Sequence, residues 1–287
     1  MIIIENLKRL YGLLKHTLLE KKQSKLNNLN YDSLNLYNKG YYEFNVDIGE
    51  KKFSEIVENS INKYFPETKG DRRLFAVEEE SEEIKEFLFK ILANHKDNIK
   101  SVSSIKKLYL HAVMAGQLKN NEIKASSGGD WHIDHHFELF KIIIYLTDVD
   151  KQNGPFSYLE GSQSKLIQFF TLAFFKLFSK NPTRFSKKSM EVIKKIFGLK
   201  LKTFTGKKGS CIVFNSAGIH RGLEIESGER ISLTAYRLPW NSPASCRPES
   251  RAGRWSGLLH WWRPGRVPSS PTRAQTGRDL RPCGCGC

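Results

Sequence analysis

The period of the hydrophobic residues changes several times along the chain, and each change marks a predicted element. Leucines recur every three or four positions over residues 2–22 with charged residues between them, which predicts an amphipathic helix. The same spacing predicts helices over 52–64 and 79–93. The stretch 24–38 is rich in Asn and Ser and is predicted to be a loop.

The middle of the chain changes to short apolar or alternating stretches, which are typical of β-strands. We predict strands over 41–46, 105–118, 138–148, 156–159, 201–204, 210–214 and 231–238. The stretch 138–148 is apolar almost throughout, which favours a strand that is buried on both faces. Asn153-Gly154-Pro155 is a turn signal, because glycine permits positive φ and proline fixes φ. Short strands with turn signals between them predict a mainly β fold.

Helical spacing returns over residues 164–200, which we interpret as an insertion between two halves of the β fold. Its first half carries five phenylalanines and is apolar nearly all round, whereas its second half is rich in lysine. A helix of the first kind is buried in protein, covered by lipid, or closed over an apolar ligand. Plain packing is the simpler interpretation, and a lid over an apolar substrate is the alternative.

The composition changes abruptly after residue 241. The last 46 residues contain no Lys, Ile or Asn and hold six of the ten prolines. They show no hydrophobic period, which predicts a disordered tail of foreign composition over 241–287. The closing Cys283-Gly-Cys-Gly-Cys287 could bind a soft metal, but its one-residue spacers do not match a standard zinc pattern.

The formal net charge is +16 and is spread over both parts of the chain. Residues 1–241 hold 31 Lys, 7 Arg and 28 Asp or Glu, a net +10, and residues 242–287 carry a net +6. A basic protein attracts anionic substrates or surfaces at long range, although a solvated lysine-rich surface is the simpler interpretation. Basic residues are not interleaved with aromatics in a groove pattern, so no nucleic-acid partner is expected.

Location is predicted from three further observations. There is no run of 18 apolar residues, so no transmembrane segment is expected. The first residues lack the apolar core of a signal peptide. Cys211 is the only cysteine before the tail and is expected to be a buried thiol, which fits a reducing, cytoplasmic location.

His132 and Asp134 are the strongest candidates for chemistry. Residues two apart share a face on a strand, whereas on a helix they diverge. One imidazole and one carboxylate make two thirds of the facial triad that holds non-haem Fe(II). His220, which follows a predicted strand and turn, is the candidate for the second histidine. His136 shares the parity of the pair and could line its pocket, but both it and His135 are interpreted as polar residues at a strand end rather than as ligands. His111 is interpreted as a packed strand residue.

The chain carries four features in this order: Trp131-His-Ile-Asp134, the Asn-Gly-Pro turn ending at Pro155, the distal His220, and Arg230 ten residues beyond it. Together they resemble the phytanoyl-CoA dioxygenase family of the Fe(II)/2-oxoglutarate oxygenases. The resemblance covers about residues 39–239.

Two positions depart from the family pattern. The family usually has Pro-Gly-Ser-His where Glu160–Gln163 stand here, and often Gln at the position of Ile133. Neither departure removes a proposed metal ligand.

The resemblance implies a double-stranded β-helix, the cupin-like jelly roll, with N-terminal helices and a helical insertion. We therefore divide the chain into an N-terminal helix and loop (1–38), an oxygenase domain (39–240) with its insertion (164–200), and the tail (241–287). The implied metal ligands are His132, Asp134 and His220.

The resemblance also implies the cofactors and the reaction. Iron would bind 2-oxoglutarate and O2, and Arg230 would hold the far carboxylate of 2-oxoglutarate, with Ser232 on the same strand face. Tyr145 and Met114 would provide further contacts to this cosubstrate. The implied activity is hydroxylation of a small molecule, anionic or apolar, or of an acyl or lipid-like substrate, with release of succinate and CO2. The alternative is a non-catalytic jelly-roll module that binds a metal or another ligand.

Overall fold

The computed structural model describes residues 4, 6–12, 29–49, 52–64, 71–103, 108–119, 129–136, 138–177 and 179–239. The predicted N-terminal helix is therefore visible over 6–12, which is helical. The rest of that prediction and the whole predicted tail lie outside the described residues. Within the described part of the chain, no helix is long and apolar enough to cross a membrane.

Eleven strands form two antiparallel sheets in the described part of the chain. In chain order they are β1 Tyr41–Asn45, β2 Asp71–Phe75, β3 Leu108–Lys119, β4 Trp131–His132, β5 Phe140–Tyr145, β6 Phe156–Leu159, β7 Arg184–Phe185, β8 Leu201–Phe204, β9 Ser210–Asn215, β10 His220–Gly222 and β11 Glu229–Pro239. The six-stranded sheet has the order β1-β9-β5-β11-β3-β2, and the five-stranded sheet has the order β7-β4-β10-β6-β8. This is the predicted mainly β jelly roll.

The space between the sheets is filled by aromatic and branched side chains from both of them. The six-stranded sheet contributes Tyr41, Ile143, Tyr145, Ile212 and Phe214, and the five-stranded sheet contributes Phe156, Tyr158 and Phe204. The rings of Tyr41 and Phe204 meet edge to face with centroids 4.8 Å apart, which is one of the geometries that aromatic pairs prefer. This layer holds the two sheets together.

Three helices cover the other face of the six-stranded sheet: α1 Tyr31–Asn38, α2 Lys52–Tyr64 and α3 Glu82–Val102. Two more helices, α4 Lys165–Thr171 and α5 Lys187–Phe197, belong to the insertion between β6 and β8. Val57 of α2 and Leu88 of α3 belong to the same core as Ile142 and Ile144 of β5. Because Ile143 and Tyr145 face the opposite sheet, β5 is buried along its whole length, as its composition predicts.

The prediction of a loop over 24–38 is wrong for its second half. Asn30 caps α1 by accepting a hydrogen bond from the Ser33 amide at 2.8 Å, and Leu36 is buried against the core. Asn and Ser are favoured both in loops and at helix N-termini. The tertiary contact of Leu36 decides between the two here.

The insertion between β6 and β8 is helical, as predicted, with a break near Pro182. α4 continues as a π-helical turn, Leu172–Lys176, and α5 follows the short strand β7. β7 was not predicted, and it pairs with β4. Asn6 of the N-terminal helix donates hydrogen bonds to the carbonyls of Lys176, Leu177 and Ser179. These bonds satisfy backbone acceptors where the helical segment ends.

Candidate metal centre

Two neighbouring strands of the five-stranded sheet position the predicted triad. His132 ends β4 and lies directly opposite His220, the first residue of β10. Asp134 follows β4, and its amide donates to the Ser216 carbonyl at 3.0 Å. The extended chain therefore keeps His132 and Asp134 on one side, next to His220, which lies 86 positions after Asp134 in the sequence.

The potential ligand atoms of His132, Asp134 and His220 all lie within 4.8 Å of one another. The Nε2 atom of His132 is 3.8 Å from Asp134 Oδ1, and that of His220 is 3.6 Å from Asp134 Oδ2. Ligand atoms about 2.0–2.2 Å from one ion are only slightly closer together than this. The three side chains therefore fit a single metal ion after a small closing movement.

Backbone carbonyls set the tautomer of both histidines. The Nδ1 atom of His132 lies 2.7 Å from the Asp130 carbonyl oxygen, and that of His220 lies 2.8 Å from the Gly218 carbonyl oxygen. A carbonyl only accepts, so each Nδ1 carries the proton and each Nε2 keeps its lone pair. Metal-binding histidines usually show this pattern, in which the second nitrogen donates to a carbonyl or carboxylate.

The charge states also suit a divalent cation. Burial, together with the nearby His220, lowers the pKa of His132 to about 3. Burial lowers the pKa of His220 as well. Burial works to raise the pKa of Asp134, but Lys141 and the two histidines outweigh it and hold that pKa below its usual range. Near neutral pH the site thus offers two neutral imidazoles and one carboxylate, the forms that bind metal.

Lys141 is a member of the site that sequence reasoning missed. Its Nζ atom lies 2.7 Å from Asp134 Oδ2 and 4.4 Å above the ring of Tyr236. The residue is only 8 % exposed. A buried lysine needs a counter-charge, and Asp134 supplies it. The signal was present, because Lys141 is the one charged residue in β5 and shares the parity of the inward-facing Tyr145.

The predicted cosubstrate residues Arg230, Tyr145 and Ser232 come together at the start of β6. The Tyr145 hydroxyl donates to the Phe204 carbonyl at 3.0 Å and accepts from the Phe156 amide at 3.1 Å. Ser232 of β11 lies opposite Tyr145 of β5. In the described part of the chain, Arg230 donates its hydrogen bond to the Gly154 carbonyl rather than to the triad.

Aromatic rings from the layer between the sheets pack around the ring of His220. Phe156 and Phe214 have ring centroids 5.6 Å and 5.2 Å from that of His220, and the ring of Tyr158 stacks on His220 at 6.4 Å. Phe156 is also the residue whose amide bonds to Tyr145. Phe156 therefore links the two groups, since its ring packs near His220 and its amide bonds to Tyr145.

The remaining candidates stand outside the triad. The backbone of Met114 pairs with Thr234 of β11, and its side chain, like that of His111, lies outside the described residues. His135 is exposed. His136 is buried, and neither of its ring nitrogens has a hydrogen-bond partner among the described residues. His136 does not belong to the cluster of potential ligands.

Comparison with known proteins identifies the fold. No protein-family model and no curated protein matches the chain. The non-heme alpha ketoglutarate dependent epimerase SnoN from nogalamycin biosynthesis superposes with a TM-score of 0.53 at 14% identity, covering 72% of this chain and 82% of that one. The related carbocyclase SnoK gives 0.51 at 13%, covering 74% and 85%. EctD from S. alaskensis with bound Fe gives 0.52 at 13%, covering 72% and 75%.

At these identities the likeness shows the fold alone. The chain has the double-stranded β-helix found in these iron- and 2-oxoglutarate-dependent enzymes, which confirms the predicted fold class. Membership of the phytanoyl-CoA dioxygenase family stays a prediction.

Proposed function

We propose that this protein is an Fe(II)- and 2-oxoglutarate-dependent oxygenase that hydroxylates a small-molecule or acyl/lipid-like substrate. The observation that carries the proposal is the triad of His132, Asp134 and His220, with both Nε2 lone pairs available and the carboxylate ionised. Two imidazoles and one carboxylate on one side of a metal are the ligands of non-haem Fe(II) oxygenases. The SnoN structure in complex with Fe3+ and alpha ketoglutarate, which superposes with a TM-score of 0.52 at 14% identity and covers 77% of this chain and 91% of that one, supports it.

The triad would hold the iron, which when bound supplies the activation of O2. In the overall reaction 2-oxoglutarate loses CO2 and becomes succinate, with one oxygen atom entering succinate and the other entering a C–H bond of the substrate. Arg230 would exchange its bond to the Gly154 carbonyl for the far carboxylate of 2-oxoglutarate, since a planar, always-charged guanidinium suits that group. Ser232, on the same strand face, would add a hydroxyl contact.

Other residues would prepare the site for this chemistry. Lys141 neutralises Asp134 in the absence of a metal and holds its carboxylate in place. Phe156, Tyr158 and Phe214 surround the ring of His220 and keep water from that side of the site.

The decisive experiment is an anaerobic titration with Fe(II) and 2-oxoglutarate, followed by a succinate assay in air. The wild type should develop the visible absorption band of an iron-bound 2-oxoacid, and Asp134→Ala and His220→Ala should lose both the band and succinate formation. His135→Ala is the matched control, because His135 is an exposed neighbour outside the cluster. A band that survives in Asp134→Ala would reject the proposed ligands.

An Arg230 variant tests binding of 2-oxoglutarate separately from binding of the metal. Arg230→Lys should raise the KM for 2-oxoglutarate by roughly tenfold with a smaller change in kcat, because a point charge replaces a two-pronged donor. Arg221→Lys is the control, since Arg221 stacks on Trp131 at 4.7 Å. An unchanged KM in Arg230→Lys would place the anchor elsewhere.

One observation favours the non-catalytic alternative, a jelly-roll module that binds metal. The guanidinium of Arg230 already has a hydrogen-bond partner in Gly154 and a second polar neighbour in Tyr145. If that arrangement persists, the protein would bind Fe(II) tightly while 2-oxoglutarate produces no absorption band. The same titration therefore distinguishes the two functions.

A further inference from the structure

The insertion carries a row of exposed apolar side chains on its first helical segment. Leu166, Phe170 and Phe174 recur every four residues, which places them on one side of α4 and its π-helical continuation. Leu166 is 52% exposed and Phe174 is 74% exposed. The rings of Phe170 and Phe174 stack with centroids 5.9 Å apart and planes 7° apart.

A second exposed row lies on α5. This helix turns Met190 and Ile193 into the protein, where both are buried. Val192 and Ile196, four residues apart, lie outside this buried face of α5 and are 38% and 63% exposed.

The two helical segments meet at Phe197, at the end of α5, whose ring centroid is 6.1 Å from that of Phe170 and which also packs against the core of the insertion. We call the joined surface the insertion patch. It consists of Leu166, Phe170, Phe174, Val192, Ile196 and Phe197.

Among the described residues, packing accounts for Phe197 but leaves four members of the insertion patch exposed. The core beneath the insertion is built from Phe185, Met190 and Ile193 together with Trp131 and Ile133. Leu166, Phe174, Val192 and Ile196 stay between 38% and 74% exposed. Contiguous exposed apolar surface of this kind marks a site of interaction with another molecule or a membrane.

The charge around the patch indicates the chemistry of that partner. Residues 165–200 hold eight Lys, one Arg and one Glu, a net +8, which is half of the formal charge of the whole chain. Lys165 is buried and donates to the His136 carbonyl, whereas five of the lysines are exposed: Lys180, Lys187, Lys188, Lys195 and Lys200. The single acidic residue, Glu191, is paired with Lys194 at 3.7 Å. On α5 the exposed Lys188 lies one turn before Val192, and the exposed Lys195 adjoins Ile196. Apolar side chains flanked by lysines are the pattern of helices that lie in the surface of an anionic membrane.

We propose that the insertion patch docks on the surface of an anionic lipid bilayer. Phe174 and Ile196 would enter the boundary between headgroups and acyl chains, and the lysines of α5 would contact the headgroups. A second copy of this chain is disfavoured as the partner, because a symmetric contact places the same patch, and hence the same +8 segment, on both sides. This surface is defined independently of the oxygenase activity.

Docking would bring the metal centre close to the lipid. β7 belongs to the insertion, and it pairs residue for residue with β4, so that Arg184 lies opposite His132. If the proposed oxygenase function is correct, the arrangement favours an acyl or lipid substrate drawn from the bilayer.

The test is co-sedimentation of the full chain with vesicles of phosphatidylcholine, with and without phosphatidylserine. We expect binding that requires phosphatidylserine and weakens as salt increases, because surface charges are screened. The basic tail could bind anionic vesicles by itself, so the decisive quantity is a comparison of variants in the full chain. Phe174→Ser and Ile196→Ser together should weaken binding by about tenfold, from the loss of buried apolar area.

The matched controls lie on α3. Phe89 is 52% exposed and is followed by the exposed Lys90, and neither belongs to the insertion. Phe89→Ser should bind vesicles like the wild type, and Lys90→Glu should weaken binding less than Lys188→Glu does.

Three results would overturn the proposal. The first is equal vesicle binding by the Phe174/Ile196 double variant and Phe89→Ser. The second is no phosphatidylserine-dependent binding by the wild type. The third is a dimer, seen by size-exclusion chromatography, that the double variant abolishes. Asp134→Ala should still bind vesicles, so failure of docking and failure of the oxygenase proposal are distinguishable.

Discussion

At the scale of single residues, Lys141 and Asp134 form the least expected contact of the site. The two charges are 2.7 Å apart, with side-chain exposures of 11% and 22%, and Lys141 lies in a strand whose other residues are apolar or aromatic. Such a pair adds little net stability compared with apolar residues, but removing one member leaves a poorly solvated charge. Asp134 therefore needs a cation at all times, and a metal ion can serve in place of Lys141.

This leads to a prediction for Lys141→Met. The variant should lower the free energy of unfolding of the metal-free protein by about 3 kcal/mol, the cost of breaking a largely buried ion pair. Adding Fe(II) without oxygen should raise the melting temperature of the variant more than that of the wild type, because the metal becomes the only cation beside Asp134. Differential scanning calorimetry with and without metal measures both effects.

Lys207→Met is the control for this experiment. Lys207 pairs with Asp148 at 2.8 Å, but both side chains are largely exposed, so its loss should leave the melting temperature unchanged. An equal response of the Lys141→Met variant and the wild type to metal would contradict the assigned role of Lys141.

At the scale of elements, the turn between β9 and β10 places His220. Gly218 lies in this turn, its carbonyl accepts from the His220 ring, and a Cβ atom at Gly218 would collide with the Tyr158 hydroxyl. That hydroxyl is itself held by the Asn215 carbonyl at 2.9 Å. The close approach of the turn to β6 therefore requires glycine.

We predict that Gly218→Ala disturbs the metal site as well as the fold. Forcing a methyl group against Tyr158 should cost about 1–3 kcal/mol of stability and should displace the carbonyl that orients His220. Fe(II) affinity, measured by titration at a temperature where the variant is fully folded, should fall by roughly tenfold or more. Gly12→Ala is the control, because a Cβ atom there meets nothing within 4 Å. Normal iron affinity in Gly218→Ala would show that the turn does not position His220.

At the scale of the whole molecule, burial of histidines makes stability depend on pH. Burial lowers the pKa of His132 to about 3 and of His136 to about 4, from an ordinary value of 6.5. The pKa values of His95 and His220 are lowered by burial too. In the unfolded chain these rings take up protons near pH 6.5, whereas in the folded chain they do not, so acid favours unfolding.

The metal-free protein should therefore be most stable above pH 6.5 and should lose stability steadily as the pH falls towards 4. Each buried histidine contributes up to about 1.4 kcal/mol per pH unit within this window. Urea denaturation at pH 7.5, 6 and 5 measures the slope, and His136→Gln should reduce it. A free energy of unfolding that is flat or rises between pH 7.5 and 5 would contradict the assigned neutral state of these histidines.

Local patterns in the sequence determined much of the fold and the proposed ligands. The spacing of His132 and Asp134 needs only an extended chain to bring both side chains to one face. The short, nearly unbroken apolar run around Ile144 predicts a strand buried on both faces. These inferences hold because strand geometry is a local property. The turn near Pro155 and the strands on either side of it follow for the same reason.

Contacts between distant parts of the chain were decided only by the tertiary structure. The pairing of β4 with β7 joins segments some fifty residues apart, and the contact of Lys141 with Asp134 depends on how two sheets face each other. The helix at 31–38 forms where its polar sequence also suits a loop, because Leu36 finds a core to enter. The outward direction of Phe174 likewise depends on which face of the insertion meets the protein. No local period contains this information, because burial is a relation between elements rather than a property of one.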